Sequence, residues 1–177
     1  MAYTYHALTI ANATAGNAIL ASDHAKAFEN VNNYRVPPMC VTTGINTSQT
    51  LTHASSTNLQ FTGADTHDTD EIHNPSSNSD QFIAKTAGIY AVSGLLLINS
   101  TGVTQMGLSI TKNAGSVVET GSASPVWQSA ARLGVSALVA CAANDVVRLS
   151  VYQESSGSAN RNPFSGNMSM VWLGQVS

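Results

Sequence analysis

The segment Gly88–Ile98, GIYAVSGLLLI, is the most informative part of the sequence for predicting the fold. Successive side chains of a β-strand point to opposite faces of its sheet. An antiparallel strand with one wet face alternates apolar and polar residues. Here one face carries Ile89, Ala91, Leu95 and Leu97, and the other carries Tyr90, Val92, Leu96 and Ile98. Both faces are apolar, which predicts that both are covered in the native protein.

The last strand repeats this two-sided pattern. In MSMVWL, Met168, Met170 and Trp172 lie on one side, while Val171 and Leu173 lie on the other. A second sheet covers one face, and a neighbouring subunit is expected to cover the other, because a large exposed apolar patch is unusual on a monomer. The alternative cover is a loop or an N-terminal helix of the same chain. The predicted subunit interface consists of Tyr90, Val92, Leu96, Ile98, Met168, Met170 and Trp172.

The remainder of residues 39–177 also has strand character. LTHASSTNLQF (51–61) has extended spacing, and two longer segments predict hairpins that turn at 112–115 and at 144–145. Many short strands without intervening helical periods are typical of an antiparallel sandwich or jelly roll. The predicted fold class is therefore all-β.

The N-terminal region has helical rather than strand periodicity. Ser22 is a suitable helix N-cap, and Ala25, Phe28 and Val31 line one face of a short helix. The segment ends before Pro37, because proline disfavours helix at the preceding residue. We predict an anchor or attachment segment over residues 1–36 and a jelly-roll domain over residues 37–177. The alternative is that the helix packs on its own domain.

Composition excludes several classes of function. Only 10% of the residues are charged, the net charge is −3, and the basic residues form no stripe. Binding to nucleic acid is therefore not expected. No apolar run approaches the roughly 18 residues of a membrane span, and the N-terminus does not resemble a signal peptide. Cys40 and Cys141 each sit in an apolar run, which predicts two buried free thiols.

Four segments resemble the C1q/TNF-like jelly-roll family. Phe82–Tyr90 is similar to its F-x-x-x-x-x-G-x-Y strand, and Leu108–Gly115 resembles its L-x-x-x-K-N-G hairpin with one extra residue. Ala142–Leu149 resembles its L-x-x-G-D-x-V-x-L segment, with Asn144 in place of the glycine. Phe164–Gly166 matches its terminal F-S-G. The resemblance implies a jelly-roll fold and a homotrimer.

Three further segments resemble C1q-like domains of tailed-phage virion proteins. They are Asp68–His73, Val151–Gly157 and Met170–Gly174. This resemblance implies a virion protein made in the host cytoplasm and displayed on the particle exterior, as a head fibre, decoration protein or tail fibre. Its expected partners are capsid or tail proteins, through residues 1–36, and a host surface glycan.

The acidic stretch Asp65–Asn74, DTHDTDEIHN, is the strongest candidate for a metal site. Its two histidines, His67 and His73, match no usual zinc spacing. Calcium candidates are Asp68, Asp70 and Glu71, but they fail the EF-hand pattern. We predict a solvated connection between strands with no bound metal.

No catalytic or cofactor site is predicted. The chain has no G-x-S-x-G elbow and no P-loop, and Asp70 and Glu71 point apart in an extended chain. The expected function is structural and non-enzymatic. The exposed tips of the domain, Gly121–Trp127 and Gly157–Asn162, are the expected contact loops, and Trp127 either stacks on a sugar or packs in the core. The alternative function is a carbohydrate-binding module or depolymerase-associated domain that acts on host glycan.

Overall fold

The computed structural model describes residues 37–113, 115–123 and 130–175. They contain ten β-strands, one 3-10 helix at Ser156–Ser158 and no α-helix. None of the described segments is a helix long and apolar enough to cross a membrane. The helix predicted within residues 1–36 lies outside the described residues. The strands are β1 Met39–Thr42, β2 Ser55–Asn58, β3 Asp65–Asp68, β4 Phe82–Ile83, β5 Gly88–Asn99, β6 Val103–Lys112, β7 Ser116–Ala123, β8 Ala130–Cys141, β9 Val146–Ser155 and β10 Pro163–Gly174.

The strands form two sheets packed face to face. Sheet I has the order β3-β1-β10-β5-β8, and sheet II has the order β2-β9-β6-β7, with β4 also paired to β9. Every pair of strands is antiparallel. The predicted all-β jelly-roll sandwich is confirmed.

The core lies between the two sheets and follows the alternation of the strands. Tyr90 and Leu96 of β5 are fully buried and face sheet II, where Leu108 and Leu149 are also fully buried. The sheets lie close together at Gly94, because a Cβ built there would lie 2.6 Å from both Cδ atoms of Leu149. Only glycine fits this position without displacing the leucine.

The start of β5 is fixed by a close contact with the end of β10. Gly88 has a φ of +151°, and a Cβ built on it would lie 2.3 Å from both Gly174 O and Trp172 Nε1. The Trp172 indole donates a hydrogen bond of 3.2 Å to Ala87 O. The glycine of the G-x-Y segment therefore lies against the Trp172 indole, where no larger side chain fits.

The hairpin predicted at 112–115 is confirmed, whereas the one predicted at 144–145 is wrong. Strands β6 and β7 pair directly around that first turn. Strand β8, however, pairs with β5 in sheet I, and β9 pairs with β6 in sheet II. The Asn144–Asp145 turn thus crosses from one sheet to the other. Local alternation predicts a strand and a turn, but it does not identify the partner strand.

Candidate functional site

The seven residues predicted to form the subunit interface all lie inside the subunit. Their side chains point between the two sheets, so a neighbouring subunit cannot reach them without opening the sandwich. The face of β5 and β10 that a neighbour can contact is the opposite one. The exposed fractions are Tyr90 0%, Val92 2%, Leu96 0%, Ile98 0%, Met168 0%, Met170 0% and Trp172 7%.

The outer face of sheet I is the surface that this sheet presents away from the core. One row of neighbouring side chains crosses β10, β5 and β8 through Val171, Ala91 and Leu138. Leu138 is 68% exposed and Leu173, further along β10, is 54% exposed. The sequence predicted that both faces of β5 are apolar. The apolar patch that is exposed on the outer face of the isolated subunit supports this prediction.

A second row on the outer face is polar, and two of its hydroxyls bond each other. Ser93 lies between Ser169 and Ser136, and Ser93 Oγ is 2.8 Å from Ser169 Oγ. The bond between these two hydroxyls lowers the cost of covering them with another chain. Together the two rows line a shallow depression of about 400 Å³. Its small side chains leave room for a protruding group from another chain.

The outer face of sheet II has a different chemistry. On β9 it carries Arg148, Tyr152 and Glu154, and on β6 it carries Thr104 and Gln105. Arg148 Nε donates a hydrogen bond of 3.0 Å to Asp80 Oδ2. On the outer face of sheet I, strands β5, β8 and β10 together present one charged side chain, Arg132. The outer face of sheet II is therefore richer in charged and hydrogen-bonding side chains than the outer face of sheet I.

The acidic stretch is not the solvated connection that its sequence predicted. Residues Asp65–Asp68 form β3, which pairs with β1. Ile72 is fully buried, and Asp70 and His73 are 2% and 6% exposed. Burial of Ile72 and pairing of β3 with β1 place the segment against the core. Its polar composition does not predict this position.

The calcium candidates do not converge on a common point. The Asp68 carboxylate accepts hydrogen bonds from the backbone N–H groups of Ile72 (2.9 Å) and His73 (3.0 Å), so it holds a local turn. Glu71 is exposed at the surface. Among the described residues, the one group of three ligand atoms within 4.8 Å of each other contains neither of these residues, nor Asp70.

Asp70 is a buried carboxylate without a hydrogen-bond partner on either oxygen. Burial raises its pKa to about 6, against the opposing influence of Lys85. An unpartnered buried acid stores unfavourable free energy whenever it is ionised. Asp70 is therefore a site of pH-dependent stability.

The group of ligand atoms that does converge consists of Cys40, Asp65 and His73. The acidic stretch contains Asp65 and His73, but the sequence did not connect Cys40 to them, because Cys40 lies far upstream and the three match no usual ligand spacing. Pairing of β1 with β3 brings Cys40 and Asp65 together. The sequence could have placed Cys40 and Asp65 on the same face of the sheet only if the register between β1 and β3 had been known.

Both cysteines are buried free thiols, as predicted. Burial raises the pKa of Cys141 to about 11 and that of Cys40 well above its usual range. A thiol with a raised pKa is a poor nucleophile.

The structure describes residues 121–123 of the first predicted contact loop and all of the second, 157–162. Trp127 lies outside the described residues. In the segment 157–162, Arg161 is tied back to the domain by a backbone hydrogen bond of 3.0 Å to Leu51 O. This segment is therefore held against the start of sheet II.

Comparisons with known proteins identify the fold. No family model and no curated protein matches the sequence. Among solved structures, the chain is similar to the globular domain of zebrafish complement 1qA protein, with a TM-score of 0.58, 10% identity and coverage of 78% of this chain and 99% of that chain. It is similar to Eiger TNF from S. frugiperda, with a TM-score of 0.55, 11% identity and coverage of 78% and 94%. It is also similar to murine APRIL, with a TM-score of 0.54, 10% identity and coverage of 76% and 99%. The chain has the C1q/TNF-like jelly-roll fold.

Proposed function

We propose that this chain is a non-enzymatic structural protein that assembles as a homotrimer through the outer face of sheet I. The observation that carries the proposal is the open apolar surface around Leu138, Leu173 and Val171 on a sheet whose inner face is already buried. Contiguous apolar surface of this kind marks a site of association.

The chemistry of the surface suits identical copies. Strands β5, β8 and β10 present no carboxylate on their outer face, and Arg132 is their one charge. Copies arranged around a three-fold axis can then bring this face together with little charge repulsion. The number three is supported by the resemblance of the four sequence segments to C1q/TNF-like domains.

The proposed location is the exterior of a tailed-phage virion, as a head fibre, decoration protein or tail fibre made in the host cytoplasm. The support is the sequence resemblance of Asp68–His73, Val151–Gly157 and Met170–Gly174 to phage C1q-like domains. In this proposal residues 1–36 attach the trimer to a capsid or tail protein. The domain then faces outward, where it can meet host surface glycan.

A pair of matched substitutions tests the assembly surface. Leu138→Asp places a charge on the outer face of sheet I, and Val117→Asp places one at a similarly exposed position, 61%, on β7. We expect the Leu138 variant to be a folded monomer by circular dichroism and light scattering, while the Val117 variant stays trimeric. A Leu138 variant that keeps the wild-type mass would refute this surface.

Particles test the location. Purified virions of the producing phage should contain the chain, and immunogold labelling should place it on the exterior. A chain without residues 1–36 should still form folded trimers but should be missing from virions. Retention of the truncated chain on virions would contradict the anchor, and absence of the full chain from them would contradict the virion role. Sustained product release from host glycan would contradict the non-enzymatic role and favour a depolymerase-associated domain.

A further inference from the structure

Three side chains from separate parts of the chain meet at the end of the core next to β3. Cys40 lies on β1, Asp65 lies on β3, and His73 lies in the segment that leads to β4. Their sulfur, oxygen and nitrogen ligand atoms all lie within 4.8 Å of one another. Cys40 and the His73 side chain are fully buried, and the Asp65 side chain is 10% exposed. The cluster is therefore sealed except at its carboxylate.

The His73 ring is held in one orientation. Its Nε2 lies 3.1 Å from the backbone oxygen of Ser79. A carbonyl oxygen can only accept, so Nε2 carries a proton and Nδ1 is the nitrogen turned toward the cluster. The ring also stacks on Phe82 with centroids 4.6 Å apart and meets the edge of Phe61. A backbone acceptor behind a fixed imidazole is the arrangement that orients a metal ligand.

His73 Nδ1 faces the Asp65 carboxylate directly. Nδ1 of His73 lies 2.8 and 3.1 Å from the two oxygens of Asp65, and only a proton or a metal ion between these lone pairs makes the contact attractive. A divalent cation at this point would also hold the Cys40 sulfur as a thiolate.

We propose that Cys40, Asp65 and His73 bind one Zn²⁺ per subunit, through the cysteine thiolate, one carboxylate oxygen and Nδ1. A thiolate with an imidazole and a carboxylate is a donor set suited to zinc, whereas calcium and magnesium take oxygen ligands. Water supplies the fourth ligand from the side of Asp65, the one partly exposed member. On binding, the ion displaces the proton from Cys40 Sγ and takes the place of any proton on His73 Nδ1.

The required movement is small. Ligand atoms of a tetrahedral zinc site lie roughly 3.3–3.6 Å apart, given its bond lengths of about 2.0–2.3 Å. The contact between Nδ1 and the Asp65 oxygen must widen from 2.8 Å, and the more distant atoms must close. Side-chain rotation on β1 and β3 achieves both. The ion then ties the edge of sheet I to the segment that enters sheet II, which gives it a structural role.

Cobalt is the direct probe, because Co²⁺ bound by a thiolate in a tetrahedral site gives charge-transfer and visible absorption bands. Full-length wild-type protein, reduced and stripped with a chelator, should bind one Co²⁺ per chain, and Zn²⁺ should bleach the bands. A site shared on a three-fold axis would instead bind one ion per three chains. Absence of the bands, or a stoichiometry of one third, would overturn the proposal.

Substitutions identify the ligands. Cys40→Ser should abolish the thiolate band, and Asp65→Asn should weaken cobalt binding at least tenfold. Cys141→Ser removes the other buried thiol and should change nothing. A band that survives Cys40→Ser or disappears in Cys141→Ser would overturn the assignment. If Cys40→Ser does not fold, the wild-type protein provides the test. Added Zn²⁺ should raise its Tm, and a chelator should reverse the rise. An unchanged Tm would contradict a structural site.

Discussion

Asn113 and Asp145 join two of the turns that resemble the C1q/TNF-like family. Asn113 Nδ2 donates a hydrogen bond of 2.9 Å to Asp145 Oδ1, and Asn113 Oδ1 accepts one of 3.0 Å from Val146 N. Asp145 Oδ2 in turn accepts from Ala142 N at 2.9 Å. The turn of the β6–β7 hairpin is thereby fastened to the crossover between sheets, which explains why both turns need polar residues at these positions.

This pairing predicts an energetic coupling between the two turns. In a double-mutant cycle with Asn113→Ala and Asp145→Ala, we expect a coupling of about 1 kcal/mol in the free energy of unfolding at pH 7. The strain of placing alanine at φ 52° cancels within the cycle. Denaturant titrations of the four proteins measure it, and additive effects would contradict the pairing.

The coupling should also depend on pH. The hydrogen bond from Asn113, with that from Ala142 N, lowers the pKa of Asp145 below its ordinary 3.8. Its contribution to stability is therefore present above pH 3.8 and lost as the pH falls through the lower folded value. Repeating the cycle in acid should show a smaller coupling than at pH 7.

Asp70 predicts the opposite pH dependence. Its pKa rises from 3.8 to about 6 on folding, so the folded chain holds the proton more tightly than the unfolded chain. The protein then loses stability as the pH rises from about 4 to about 6. Asp70→Asn should stabilise the protein by about 1–2 kcal/mol at pH 8 and have little effect at pH 4. The exposed neighbour Glu71→Gln is the control, and an Asp70 variant that is less stable than wild type at pH 8 would contradict this account.

Gly88 predicts a large steric effect. Gly88→Ala places a methyl group against Trp172 Nε1 and Gly174 O at a φ that disfavours alanine. We expect a loss of about 3 kcal/mol or more in the free energy of unfolding. Gly134→Ala is the control, because its methyl would meet nothing nearer than Leu95 Cδ1 at 3.9 Å. Equal effects of the two substitutions in thermal or urea unfolding would contradict the close contact.

The alternation of Gly88–Ile98 was enough to predict the strand and its two apolar faces. It could not decide which face turns inward, since burial depends on the sheet that packs opposite. The available signal was Ser93, which shares a face with Ala91 and Leu95 and faces Ser169 and Ser136 across the sheet. Polar residues in register mark the outer face, but that register is known only from the structure.

The cluster at Cys40 and His73 shows a second limit. Spacing rules recognise ligands that are close in sequence, whereas these meet through the pairing of β1 with β3 and the burial of the segment after it. The β8–β9 turn was misassigned for a related reason. The turn itself was predicted correctly, but the partner strands of β8 and β9 are set by contacts distant in sequence.

The homotrimer is tested directly by the mass of the full-length protein in solution. Light scattering coupled to gel filtration at micromolar concentration should give three times the chain mass of 18.4 kDa, independent of dilution over about tenfold. A mass of a single chain at these concentrations would contradict the homotrimer, and with it the role assigned to the outer face of sheet I.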